Sequence, residues 1–289
     1  MKKFKIIYII GIIIFTVYAL LDTFLISRVY VKIQKDEKKA DVVLGDVTKD
    51  DNIYEDENIT VKLTTYRKYD TDIYVADIKI NNPNYLKTAF ANDSYGKNVV
   101  DKTSNIASNN NAIIAINGDY YGVQEDGYVL KNGVIYRDKS SGNEDLVIYE
   151  DGTFEIINED DITLEQLLNK GAYNVLSFGP ALVNNGNISV NTNTEVGKSM
   201  RSNPRTAIGI IDDNHYVFVV SDGRTSKSEG LSLYNLATFM KDLGCDIAYN
   251  LDGGGSSTMY FNGNVINNPT TNGNRISERS VSDIVYIGY

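Results

Sequence analysis

Histidine and cysteine are scarce in this chain, one of each, and positive charge is outnumbered by negative. Its one histidine, His215, falls in Asp212-Asp213-Asn214-His215, the pattern of a hairpin tip. A histidine-based catalytic triad and a multi-histidine metal site are therefore not available, and the chain calls for no metal and no cofactor. The one cysteine, Cys245, excludes an internal disulfide. It sits in an apolar strand pattern, as a buried small hydrophobe does, rather than in the polar setting of a nucleophile. There are 28 Lys and Arg against 38 Asp and Glu, a net charge of −10. That balance argues against nucleic acid as a partner, because binding a phosphate backbone needs a basic surface. No sequence repeat is visible.

The 289 residues, 42% hydrophobic and 23% charged, suffice for one large or two small domains. Lys2, Lys3 and Lys5 precede an apolar run from Ile6 to Leu21, which resumes at Phe24-Leu25-Ile26. The run approaches the length that crosses a bilayer. It lacks a small-x-small cleavage site and a lipobox-like cysteine, so residues 1–30 read as an uncleaved signal anchor. The lysine cluster places the N-terminus inside and the remainder on the extracytoplasmic side of a cell membrane, crossed once. Residues 31–58 carry charges of both signs and read as a solvated stalk, within which Val42-Val43-Leu44 is apolar enough to pair. Residues 59–289 form the globular domain.

Within it, Ile59–Leu63 and Ile73–Ile80 alternate as the strands of a hairpin. Leu86 to Ala91 reads as a short helix, and so does Thr103 to Asn110, with Thr103 or Ser104 as its N-cap. Val129–Tyr136 and Leu146–Ile157 are hairpins about Asn-Gly and Asp-Gly, with no evident chemistry. Thr163 caps a short helix, and Glu195 to Asn203 is a polar loop. Leu233, Leu236, Ala237, Met240 and Leu243 share one helical face between a Ser232 cap and Gly244. Met259–Ile266 is a hairpin, and Val281–Ile287 is the closing strand. The expected class is α+β: a single domain with a mixed, largely antiparallel sheet core and packed helices, behind the membrane helix.

Chemistry concentrates where apolar strands end. Ile247-Ala248-Tyr249 runs into Asn250-Leu251-Asp252, then Gly253, Gly254, Gly255, Ser256, Ser257 and Thr258. Such a turn lets the backbone approach a ligand and can aim N–H groups at an anion. It is not a nucleotide P-loop, because no lysine follows the glycines. Ala112–Ile116 leads likewise to Asn117-Gly118-Asp119-Tyr120, and Tyr216–Val220 to Ser221-Asp222-Gly223-Arg224. Arg205 and Arg279 are candidate anion clamps, since a guanidinium fork binds carboxylate or phosphate through two hydrogen bonds. Glu229 lies in the loop before the long helix.

Asn250–Tyr260 resembles the hallmark segment of the phosphodiester glycosidase family, which has many bacterial members described as exopolysaccharide-related. Ile116–Tyr121, Phe178–Val183, Pro204–Gly209, Ser221–Arg224, Ser228–Leu231 and Glu278–Val281 match the family pattern in the expected order. The resemblance implies hydrolysis of a sugar 1-phosphodiester to free sugar and a phosphomonoester. Phosphate is a good leaving group, so the site needs donors on the phosphate and a carboxylate near the anomeric carbon more than a strong general acid. Arg205, Arg224 and Arg279, with Asn117, Asp119 and the Gly253–Ser257 turn, are candidates for binding. Asp252, Asp222 and Glu229 are candidates for the carboxylate, as base toward water or stabiliser of the transition state. The expected substrate is a phosphodiester-linked glycan or glycopolymer of the cell envelope. The same residues fit a non-catalytic glycan- or phosphate-binding surface module. A metal-dependent phosphodiesterase fits less well, for want of histidine ligands.

Overall fold

A computed structural model describes residues 2–34, 47–195 and 202–289. The apolar stretch Val42–Leu44 and most of the polar loop after Glu195 lie outside them. Every strand pairing among the described residues is antiparallel. The class is α+β, and the domain is built around two sheets. The larger has nine strands. Its centre is Ile247–Leu251, Arg205–Asp212, His215–Ser221, Thr71–Ile80 and Ile59–Lys68, side by side in that order. The second has five, with Met259–Phe261, Ile114–Asn117 and Asp283–Ile287 at its middle and Leu86–Phe90 at one edge.

The central strands of the large sheet read as nearly unbroken apolar runs because both faces are covered. In His215–Ser221, Tyr216, Phe218 and Val220 point into the main core shared with the second sheet. Val217 and Val219 point the other way, into the layer beneath the helix Leu233–Asp242. Ser232 accepts from the Asn235 amide to cap that helix, and Gly244 closes it at positive φ. Cys245 is buried in this layer, where burial pushes its thiol up to about 12 and keeps it unreactive at neutral pH.

Two local expectations are corrected. Leu86–Phe90 is a strand, not a helix: Leu86, Thr88 and Phe90 alternate inward, and the segment pairs with Asp283–Ile287. Neither Thr103 nor Ser104 caps the helix Thr103–Asn109. Lys102 occupies the cap position without a side-chain bond, and the Glu278 carboxylate accepts from both the amide (2.9 Å) and the hydroxyl (2.6 Å) of Ser104. The large sheet also reaches back before residue 59, through Ile53–Glu55 and Thr48–Lys49, because Tyr54 is buried in the main core. The helix Lys2–Phe24 stands apart from the core, and the strand that follows it, Arg28–Lys32, pairs with Ser94–Lys97.

Candidate active site

Asp252 emerges where the large sheet meets the second. Asn117, at the end of Ile114–Asn117, makes the joint. Its amide donates to the Asp252 carbonyl at 2.7 Å, while its side-chain oxygen accepts from the Thr206 hydroxyl (2.8 Å) and the Thr258 amide (3.2 Å). The Asp252 amide in turn donates to the Gly118 carbonyl at 3.3 Å. Asn117 is fully buried, so it positions Asp252 and does not reach a ligand.

The glycine turn after Asp252 is shaped by what presses on it. Gly254 has φ +63, and a Cβ there would lie 2.8 Å from the Arg224 guanidinium. A Cβ on Gly255 would lie 2.4 Å from the Thr271 hydroxyl. Three of the turn's amides are bonded within the protein. The Gly254 amide donates to the Pro204 carbonyl at 2.8 Å, and the Ser256 and Ser257 amides close on Gly253 and Gly254.

Arg279 packs against this turn. It donates to the Asp252 carboxylate at 2.9 Å, to the Ser256 hydroxyl at 2.6 and 2.8 Å, and to the Gly253 carbonyl at 3.2 Å. Its neighbour Glu278 is anchored on the helix start at Ser104, which fixes the backbone from which Arg279 reaches. The Arg279 side chain is 40% exposed and that of Asp252 12%. Burial raises the Asp252 pKa above the usual range, and the charge and hydrogen bonds of Arg279 offset only part of this. Arg224 lies alongside, bonded to Asn203 at 3.1 and 2.9 Å and to the Thr271 carbonyl. Burial and then the Arg279 charge lower its pKa, whereas Asp252 favours its charged form. Two cations therefore flank the Asp252 carboxylate.

Behind this floor is a buried ion cluster. Lys131 donates to Asp119 at 3.2 Å and to Asp283 at 2.7 Å. Burial works against the Lys131 charge, but the two carboxylates outweigh it and hold its pKa above the ordinary lysine value. Burial, then the charge of Asp119, pushes the Asp283 carboxyl up to about 7 despite Lys131. The cluster reaches the floor through Gly118, whose missing side chain leaves room for the Asp283 carboxylate, 2.4 Å from where a Cβ would be.

A cavity of about 290 Å³ opens over these groups, and Asp119, Tyr120, Asp252, Arg279 and Ser282 are among its lining residues. Of the residues singled out in the sequence, Asp119, Asp252 and Arg279 thus meet at one cavity. Asn117, Arg224 and Gly253 to Ser257 support its floor. Arg205 lies behind the turn, buried, with its guanidinium donating to the Leu231 carbonyl (2.9 Å) and Glu195 (3.4 Å). Asp222 is buried and accepts from the Asn268 amide and side chain (2.8 Å each) and the Tyr74 hydroxyl (3.2 Å), tying down the loop after the last hairpin. Glu229 is exposed on its loop. Sequence reasoning passed over Lys131 and Asp283. The available signal was a charged residue inside each of two apolar strand patterns, Val129-Leu130-Lys131 and Asp283-Ile284-Val285.

YomE, a protein of Bacillus subtilis (strain 168) derived from the SPbeta prophage, is 33% identical over 177 residues, covering 60% of this chain and 26% of YomE. Mouse N-acetylglucosamine-1-phosphodiester alpha-N-acetylglucosaminidase is 32% identical over 101 residues, covering 31% of this chain and 19% of the mouse enzyme. The chain thus spans about a quarter or less of the length of these relatives. The catalytic domain of the zebrafish enzyme of that name, auto-inhibited by its pro-peptide, superposes with a TM-score of 0.63. It is 20% identical and the match covers 91% of this chain and 88% of that one, a likeness in fold. The family model described as phosphodiester glycosidase matches residues 110–288, a span that holds Asn117, Asp119, Lys131, Asp252, Arg279 and Asp283. The chain belongs to the phosphodiester glycosidase family.

Proposed function

We propose that the chain hydrolyses a sugar 1-phosphodiester at the Asp252–Arg279 cavity, releasing free sugar and a phosphomonoester. The observation that carries this reading is a mostly buried carboxylate held at 2.9 Å by a guanidinium that is itself open to the cavity. Arg279, with Arg224 beside it, neutralises the phosphate as it departs. Asp252 is assigned to the anomeric carbon, as base toward the attacking water or as a charge against the oxocarbenium-like transition state. Water's oxygen bonds to C1, the C1–O bond breaks, and its electron pair leaves with the phosphate. Asp222 and Glu229 drop out of this role because neither lines the cavity.

The helix Phe4–Phe24 is long and apolar enough to cross a membrane, with a mean hydropathy of 2.4. Its lysine-flanked start supports an extracytoplasmic domain acting on a phosphodiester-linked envelope glycan. The test is product analysis on N-acetylglucosamine 1-phosphodiesters, a sugar chosen from the name of the mouse relative. Free reducing sugar with a phosphomonoester supports the reading. Sugar phosphate would instead mean cleavage at phosphorus, and binding without product would mean a glycan-binding module.

A further inference from the structure

The cavity over Asp252 is walled by the end of the N-terminal helix. Phe24, Leu25 and Ser27 line it together with Asp252 and Arg279. This junction is built into the domain and is not a loose tether. The Asn98 side-chain amide donates to the carbonyls of Asp22 (3.4 Å), Thr23 (3.2 Å) and Ile26 (3.1 Å), and the Ser27 hydroxyl donates to the Asn98 carbonyl at 2.7 Å. Arg28–Lys32 then pairs with Ser94–Lys97. Gly96 in that pair has no room for a side chain: a Cβ would lie 2.0 Å from the Arg28 carbonyl oxygen.

The cavity has two kinds of wall. Its floor is charged. Its rim carries apolar side chains that remain open to solvent, among them Phe24 (69% exposed), Leu25 (71%), Val100 and Val123. Leu25 directly follows the apolar span Phe4–Phe24. Where Phe4–Phe24 fills the hydrocarbon, a rise of about 1.5 Å per residue and an interfacial layer of roughly 5–8 Å on each side put Leu25, which lines the cavity, at the level of the lipid headgroups. A water-borne polymer has no use for an apolar rim at that depth, whereas a lipid chain does.

From this placement we infer that the substrate is a membrane lipid: a sugar 1-phosphate esterified to a lipid alcohol in the leaflet that the helix enters. The inference rests on the reaction proposed above and on retention of the helix. The sugar and phosphate occupy the charged floor, and the lipid chain runs over Phe24 and Leu25 into the bilayer. Hydrolysis breaks the C1–O bond, with water's oxygen bonding to C1. The electron pair stays with the phosphate and a proton from water balances it, so free sugar enters solution and the lipid monophosphate remains in the membrane.

The full chain in nanodiscs tests this on three N-acetylglucosamine 1-phosphodiesters: a long-chain prenyl ester and a diacylglycerol ester, both embedded, and the methyl ester in water. At least a tenfold higher kcat/KM for one of the embedded esters supports the inference, and the better of the two identifies the lipid class. Gly96→Leu, which pushes Arg28–Lys32 off the domain, should remove that preference and leave methyl-ester turnover unchanged; its thermal unfolding reports whether it folds. Equal or faster hydrolysis of the methyl ester by wild type would overturn the lipid assignment while leaving the proposed reaction standing. Faster methyl-ester turnover by Gly96→Leu would overturn it too, and would make the helix end a cover on the site. No turnover of any ester would overturn both the assignment and the reaction.

Discussion

At the scale of single residues, Asp252 and Glu229 make opposite predictions although both are carboxylates in matching segments. Asp252→Asn keeps the shape and the hydrogen bonds to Ser256 and Arg279 but removes the charge. It should lower kcat by about a hundredfold or more with KM little changed, as expected for a group acting in the transition state. Glu229→Gln, exposed and outside the cavity, should leave steady-state kinetics unchanged. Asp283 makes a prediction about pH. Its folded pKa of about 7 lies above the unfolded value of about 3.9, so between the two the folded protein binds more protons. The stabilisation from this group is full below the unfolded value and is lost as pH rises through about 7. Asp283→Asn removes the titration and keeps the Lys131–Asp119 pair. The fall in Tm between about pH 4 and pH 7 should therefore be smaller in the variant than in wild type. An equal fall would mean that Asp283 is ionised throughout.

At the scale of elements, the loop after the hairpin Met259–Val265 matters because it delivers Glu278 and Arg279 together. Glu278→Ala removes the acceptor that satisfies the start of Thr103–Asn109, a loss of about 1 kcal/mol by analogy with ordinary caps. Because the same residue holds the backbone of Arg279, activity should fall by tenfold or more while Tm moves by only a few degrees. Scanning calorimetry beside steady-state rates would show whether the two losses separate. This element also shows what was legible in the sequence. Glycine turns, Asn-Gly hairpins and the Thr163 and Ser232 caps are local and were readable, because their chemistry lies within a few residues. Leu86–Phe90 reads as helix in isolation because five residues ending in alanine and phenylalanine carry little period, and pairing with Asp283–Ile287 makes it a strand. Glu278 as a cap was invisible, since its partner Ser104 is 174 residues away.

At the scale of the whole molecule, the site exists because two sheets end at the same place. Asn117 closes that joint from one side, and the strand that carries Asp252 closes it from the other. Asp252 and Arg279 could be singled out from their segments, but Lys131 and Asp283 could not. Their partnership spans 152 residues, and each reads locally as one polar position in a strand. The same distance rule separates Arg205 from the cavity: its segment fits the family, yet the fold turns its guanidinium toward Leu231 and Glu195.

What all of this asserts is attack at carbon: the sugar's C1–O bond breaks and the phosphate leaves intact. Hydrolysis in ¹⁸O-enriched water, read by mass spectrometry of the phosphomonoester, tests it most directly. The account predicts a phosphomonoester without label, the heavy oxygen having gone to C1 of the sugar. Label in the phosphate would place the attack at phosphorus and contradict the roles given to Asp252 and Arg279.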